Sequence, residues 1–115
     1  MKISPNFDSS EFACKCGCGL DNVSSELVAV LELVRIKFRS PVTVSSGCRC
    51  KAHNEKEGGA PRSKHLDGIA ADIKVKGVQP NEVYNFLDRL FPHECGLGQY
   101  ETFTHVDVRK TKARW

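Results

Sequence analysis

The sequence predicts an α+β fold, with helices packed against a small, mostly antiparallel sheet. Two segments carry apolar residues at helical spacing, short β-rich runs lie between and after them, and the elements follow in the order helix, strand, long loop, strand, helix, strands. Residues 1–22 read as an irregular N-terminal segment, with turn signals at Ser4-Pro5-Asn6 and Asp8-Ser9-Ser10 before a run of cysteines. Ser24 or Ser25 can then cap a helix that has Glu26 in its first turn. Leu27, Val30, Leu31, Val34 and Phe38 recur at helical spacing, so the helix is expected over 25–39, and Pro41 ends it.

Val42-Thr43-Val44-Ser45 reads as a short strand. The polar stretch from Ser46 to Gly68 follows, punctuated by Gly47, Gly58, Gly59 and Pro61 and carrying His53 and His65. A loop this long is unusual in a small chain unless it is functional. Ala70 to Val75 reads as a buried strand. Pro80-Asn81-Glu82 opens a second helix, with Val83, Phe86, Leu87, Leu90 and Phe91 on its apolar face, and Pro92 stops it. Gly96–Tyr100 and Thr104–Val108 read as a final pair of strands.

The chain has 115 residues, 40% of them hydrophobic and 27% charged, which suits one ordinary globular domain over 1–115 and not a disordered chain. No apolar run approaches the length of a membrane span. The first residues, Met1-Lys2-Ile3-Ser4-Pro5-Asn6, hold no apolar core of a secretory signal, so synthesis in the cytoplasm and delivery by another factor are expected. The net charge of +3 is mild; it suits an acidic polymer as partner without demanding nucleic acid.

Six cysteines stand at positions 14, 16, 18, 48, 50 and 95. Free thiols are the first reading, because a reducing compartment is expected. A second, structural ion at Cys14, Cys16 and Cys18 is less favoured, since the spacing is not the C-x-x-C of common zinc knuckles. Disulfides come last.

Two clusters carry chemistry. His65 leaves the glycine-rich loop and Asp72 lies on the strand that follows, with Gly68 permitting the sharp entry and Ala70 and Ala71 keeping that strand thin. His105 and Asp107 are two apart on a strand, so both face one side. Two imidazoles and one carboxylate suit Zn²⁺ and leave a fourth position for water, whose pKa such an ion lowers to about 7.

These residues resemble the zinc peptidase family of D-Ala-D-Ala carboxypeptidases, vancomycin-resistance D,D-dipeptidases and L-alanyl-D-glutamate endolysins. Its S-x-H-x-x-G-x-A-x-D motif is matched from Ser63 to Asp72 and its H-x-D by His105 and Asp107. Ser45-Ser46-Gly47-Cys48-Arg49 with Ala52-His53-Asn54 is similar to the family's S-G-x-R…H-N segment, and the ending His105–Arg109…Arg114-Trp115 to its small single-domain, phage-like branch. The resemblance implies a hedgehog/DD-peptidase fold and one catalytic zinc held by His65, Asp72 and His105. It implies that Arg49 holds substrate carboxylate or carbonyl groups, a task that suits a guanidinium fork, and that Ser63 contacts substrate or caps the loop.

Many members carry an acidic base three residues before the third ligand, where this chain has Thr102. The base is then expected at Asp107, on the strand face of His105, with Glu101 as the second candidate. The alternative role for Asp107 is a carboxylate that orients a zinc histidine. His53 and His93 are not expected to be ligands. The implied activity is hydrolysis of an amide bond in the peptidoglycan stem peptide. The setting it implies is a monomeric phage or prophage endolysin that a separate holin-type factor brings to the wall. The rivals are a D,D-carboxypeptidase that trims D-Ala termini and a non-catalytic zinc-stabilised module.

Overall fold

The computed structural model describes residues 1–115. Its strands and helices are β1 (Lys2–Ser4), β2 (Phe7–Asp8), α1 (Ser25–Phe38), β3 (Val42–Ser46), α2 (Lys51–Lys56), β4 (Ala70–Val75), α3 (Pro80–Leu90), β5 (Gly96–Gln99), β6 (Thr104–Asp107) and β7 (Ala113–Arg114). Single 3-10 turns cover Ser9–Glu11 and Lys64–Asp67. Five strands form one sheet in the order β3-β4-β6-β5-β7, antiparallel except for the last pair, and β1 and β2 form a separate hairpin. The architecture is the expected α+β arrangement.

The helices start and stop where the local chemistry dictates. Ser24, not Ser25, caps α1, its hydroxyl accepting from the Glu26 amide at 3.2 Å. The helix ends at Arg39, which turns left-handed (φ 53°) just before Pro41. Pro80 occupies the first turn of α3, and the Glu82 carboxylate accepts from the Gln79 amide at 3.0 Å.

Leu27, Leu31 and Val34 of α1 and Val83 and Leu87 of α3 are buried against one face of the sheet. That face presents Val42 and Val44 of β3, Ala71, Ile73 and Val75 of β4, Leu97 of β5 and Val106 of β6. Burying each larger side chain contributes about 1.5–3 kcal/mol. Alternation then decides the opposite face: Asp72 on β4 and His105 and Asp107 on β6 point away from this core.

Three expectations need correction. Residues 1–22 are not irregular throughout, since they include the β1–β2 hairpin and a 3-10 turn that Asp8 and Glu11 cap reciprocally. The stretch from Ser46 to Gly68 is not one loop, since it folds into α2 and a second 3-10 turn. The chain's end adds β7, a parallel partner of β5, to the expected pair of strands.

One carboxylate ties the hairpin to α1. Glu32 accepts from the Ser4 hydroxyl at 2.6 Å, the Asn6 amide at 2.8 Å and Asn6 Nδ2 at 2.7 Å. Partial burial alone would raise its pKa, but these three bonds outweigh it and lower the value. A lowered folded-state pKa gives stability that is present above the unfolded value of 4.5 and is lost as pH falls from there through the lower folded value. Glu32→Ala is therefore expected to cost about 1 kcal/mol near pH 7 and much less near pH 3, checked by urea denaturation at both.

Candidate metal centre

The site is built on the sheet face opposite the core. Antiparallel register sets Asp72 of β4 directly across from His105 of β6, with Gly98 of β5 on the far side of His105. Asp107 likewise lies across from Gly96. The Gly96-Leu97-Gly98 alternation thus leaves β5 without side chains where the site needs room. A Cβ at Gly98 would lie 2.5 Å from Nε1 of Trp115, and one at Gly96 would overlap the Asp107 carboxylate.

His65 arrives from the 3-10 turn before β4. Ser63 caps that turn, its hydroxyl accepting from the His65 amide at 3.2 Å. Gly68 closes the turn at φ +71°, and a Cβ there would overlap the Asn22 carbonyl. Gly68→Ala therefore combines left-handed strain with a backbone clash. It is expected to cost more than about 1 kcal/mol and to weaken metal binding by tilting the His65 turn. Thermal denaturation with and without added zinc checks both effects.

His65 Nε2 lies 3.3 Å and His105 Nδ1 3.0 Å from Asp72 Oδ1, and one donor atom from each residue falls within 4.8 Å of the others. The other ring nitrogens fix the tautomers. His65 Nδ1 meets the Gly47 carbonyl at 2.6 Å, and His105 Nε2 meets Asp107 Oδ2 at 2.8 Å. Both partners can only accept, so those nitrogens carry the protons. Two imidazole lone pairs and a carboxylate oxygen then converge on one point. A cation satisfies all three, and the donor set is that of an open zinc site.

The three are buried, with side chains no more than 10% exposed. Burial would raise the Asp72 pKa, but hydrogen bonds from His105 and His65 outweigh it and bring it to about 2. Burial would lower the His105 pKa, but its bonds to Asp107 and Asp72 raise it. In the metal-free protein a proton thus competes for the same lone pair.

Arg49 stands beside the converging ligands. Its amide donates to the His65 carbonyl at 3.0 Å. Its guanidinium donates to Ser46 Oγ at 3.1 Å and Asn54 Oδ1 at 3.4 Å, and stands 3.6 Å from the second oxygen of Asp72. The buried Asn54 side chain donates in turn to the Ala60 carbonyl at 2.9 Å, so the H-N pair holds the loop. His53 pairs with Glu57 at 3.6 Å and stays out of the metal cluster. Ser63 both caps its turn and lines the cleft over the site.

Neither base candidate stands at the converging lone pairs. Asp107 shares the strand face of His105, as expected, but contacts the opposite edge of its ring. Its side chain is fully buried. Oδ1 accepts from the Gly96 amide at 3.1 Å, the Arg109 amide at 3.2 Å and Arg109 Nε at 2.7 Å, and Oδ2 from Arg109 Nη2 at 2.8 Å as well as from His105. Burial would raise its pKa, but the His105 and Arg109 bonds hold it well below the usual carboxylate range. Glu101 is exposed in the turn between β5 and β6 and does not line the cleft.

The cleft has a volume of about 780 Å³. Arg49, Arg62, Lys64 and Arg109 line it against the carboxylates of Glu57 and Asp72, so it is basic. Tyr100 and Phe103, stacked at 4.4 Å, and Trp115 form an aromatic wall. Trp115 packs 5.0 Å from the His105 ring, lies under the Arg109 guanidinium and donates to the Tyr100 hydroxyl at 2.9 Å. Neither this wall nor the Gly47 carbonyl is marked as functional by residue type or spacing. The only signal was the arginine and the terminal tryptophan in the ending that follows His105.

The cysteine run lies apart from this site. Its three thiols gather with that of Cys50, so the group is larger than the run of Cys14, Cys16 and Cys18 alone.

A search of curated proteins finds no match to the chain. A family model described as Peptidase M15 matches residues 5–107. That stretch holds all three converging ligands and the five-stranded sheet short of β7, and the architecture is consistent with the family's hedgehog-like fold. With nearly its whole length matched, the chain belongs to the Peptidase M15 family of zinc metallopeptidases.

Proposed function

We propose that the protein hydrolyses an amide bond in the stem peptide of peptidoglycan, as a monomeric endolysin of phage or prophage origin. The observation that carries this reading is the convergence of His65, Asp72 and His105 at the floor of a basic cleft. A stem peptide bears free carboxylates, and the four cations of the cleft wall complement them. The size of the cleft suits several residues of an extended peptide.

His65 Nε2, Asp72 Oδ1 and His105 Nδ1 would hold the zinc ion. When bound, the ion supplies a water of lowered pKa and polarises a carbonyl oxygen. The residues around it do the rest. The Gly47 carbonyl and the Asp107 carboxylate fix the two imidazole rings, so their lone pairs are aimed before metal or substrate arrives. The Arg49 guanidinium is braced by Ser46 and Asn54 and faces the cleft beside Asp72. There it binds a substrate carbonyl or carboxylate and stabilises negative charge developing on the scissile carbonyl. Trp115, Tyr100 and Phe103 shield one side of the site from water and give the peptide a wall to lie against.

On this reading the protein is made in a host cytoplasm and meets its substrate after a separate holin-type factor opens the membrane. Mass spectrometry of muropeptides digested with the zinc-loaded protein tests the proposal. The expected products are two fragments that together exceed the parent by one water, cut within the stem peptide and absent with His65→Ala. Release of single D-Ala residues alone would assign a D,D-carboxypeptidase, and intact muropeptides would overturn the reading.

A further inference from the structure

The thiols of Cys14, Cys16, Cys18 and Cys50 all lie within 4.8 Å of one another, as a group separate from His65, Asp72 and His105. Cys16 Sγ is 3.4 Å from Cys14 Sγ and 3.7 Å from Cys50 Sγ. These separations are far longer than the ~2.05 Å of a disulfide. They are close to the edge of a tetrahedron of sulfurs around zinc, which a Zn–S bond of about 2.3 Å sets at about 3.8 Å. We propose that these four cysteines form a second, structural zinc site.

The surroundings fit a bound cation. Two of the sulfurs accept backbone amides, Cys14 Sγ from Cys50 and Cys50 Sγ from His53, both at 3.4 Å. Such bonds support charge on a ligating sulfur. The C-x-C-x-C spacing differs from that of a knuckle, and the loop turns left-handed at Gly17, between Cys16 and Cys18, with φ of 86°. The three closely spaced thiols meet at one point, and the fourth ligand comes from 32 residues beyond Cys18. Residues 12–24 contain neither helix nor strand, and a bound ion would add a cross-link to the turn and loop hydrogen bonds that hold them. Binding is a simple exchange: Zn²⁺ enters, the thiols that bind it release their protons to solvent, and nothing is oxidised or reduced.

The ion would also steady the catalytic end of the molecule. Cys50 caps α2 and directly follows Arg49, and the Cys48 amide donates to the Phe12 carbonyl at 2.8 Å. The cross-link therefore pins the segment Gly47–Cys50, which carries the acceptor for His65 and the guanidinium beside Asp72. This site does not depend on the peptidase reading, and its test reads metal, not turnover.

The test is metal analysis of protein purified without chelator, with cobalt substitution as a second readout. Wild type should hold two zinc ions per chain and His65→Ala one. His65→Ala carrying Cys16→Ser and Cys18→Ser, both at exposed positions, should hold none. Cobalt-loaded protein should show sulfur-to-cobalt charge-transfer absorption that survives His65→Ala and vanishes in the double serine variant, since the histidine site offers no sulfur. A folded His65→Ala protein without zinc would overturn the proposal. So would a mapped disulfide among the four cysteines, or iron in place of zinc. Should His65→Ala not fold, cobalt-loaded wild type decides: a sulfur-to-cobalt charge-transfer band supports the site, and its absence overturns it.

Discussion

Replacing His65 or His105 with alanine is expected to remove the catalytic zinc and to cut amide hydrolysis by at least about 10³-fold. An open site with three protein ligands has no spare donor. The Lewis acid and the activated water are worth several kcal/mol, and each 1.36 kcal/mol is a factor of ten in rate. Asp72→Ala should do the same and also strand the Arg49 guanidinium 3.6 Å from where its carboxylate partner was. Equilibrium dialysis against zinc, run beside a peptide-cleavage assay, checks both losses. Zinc retained at full affinity in any of these variants would show that the residue is not a ligand.

Asp107→Asn separates the two roles that the H-x-D pattern allows. Asparagine keeps the shape but loses the charge that pairs with Arg109 and orients His105 Nε2. If Asp107 orients the ligand, zinc affinity falls by about 10–100-fold and excess zinc restores most activity. Stability also drops by about 2–3 kcal/mol, because the Arg109 guanidinium and the Gly96 amide lose a charged acceptor. If Asp107 were the base, zinc would stay bound and turnover would fall about 10²–10⁴-fold regardless of added metal. The geometry favours the first outcome. Glu101→Gln is the surface control and should change activity by no more than about twofold.

The long periodic elements were legible in the sequence because their signals are additive. Leu27, Val30, Leu31 and Val34 mark α1, and Ala70–Val75 was read with the bounds that the strand has. What escaped was short. The six residues of α2 span less than two helical turns, too few for periodicity to show, and its cap is a cysteine sulfur and not the usual oxygen. The β1–β2 hairpin and β7 have strands of two or three residues and owe their place to neighbours. Glu32 holds the first, and pairing with β5 holds the second.

The site shows the same division. His65, Asp72 and His105 could be named from motif and residue type, and strand alternation put His105 and Asp107 on one face. Alternation says nothing of which edge of an imidazole a neighbour touches. That depends on Arg109 and Gly96 drawing the Asp107 carboxylate to the Nε2 side, which only the register of β5 against β6 reveals. Cys50 joins the cysteine run for a similar reason. It lies far from Cys14 in sequence and reaches it because the Phe12 carbonyl takes the Cys48 amide and Cys14 Sγ takes the Cys50 amide.

Anomalous X-ray diffraction at the zinc edge, on crystals grown without chelator, locates the catalytic ion. The expected result is a peak bonded at about 2.0–2.2 Å to His65 Nε2, Asp72 Oδ1 and His105 Nδ1, with a solvent molecule as the fourth ligand. No peak between those three atoms, or a zinc ion bound through His105 Nε2 with Asp107 as its carboxylate ligand, would contradict it.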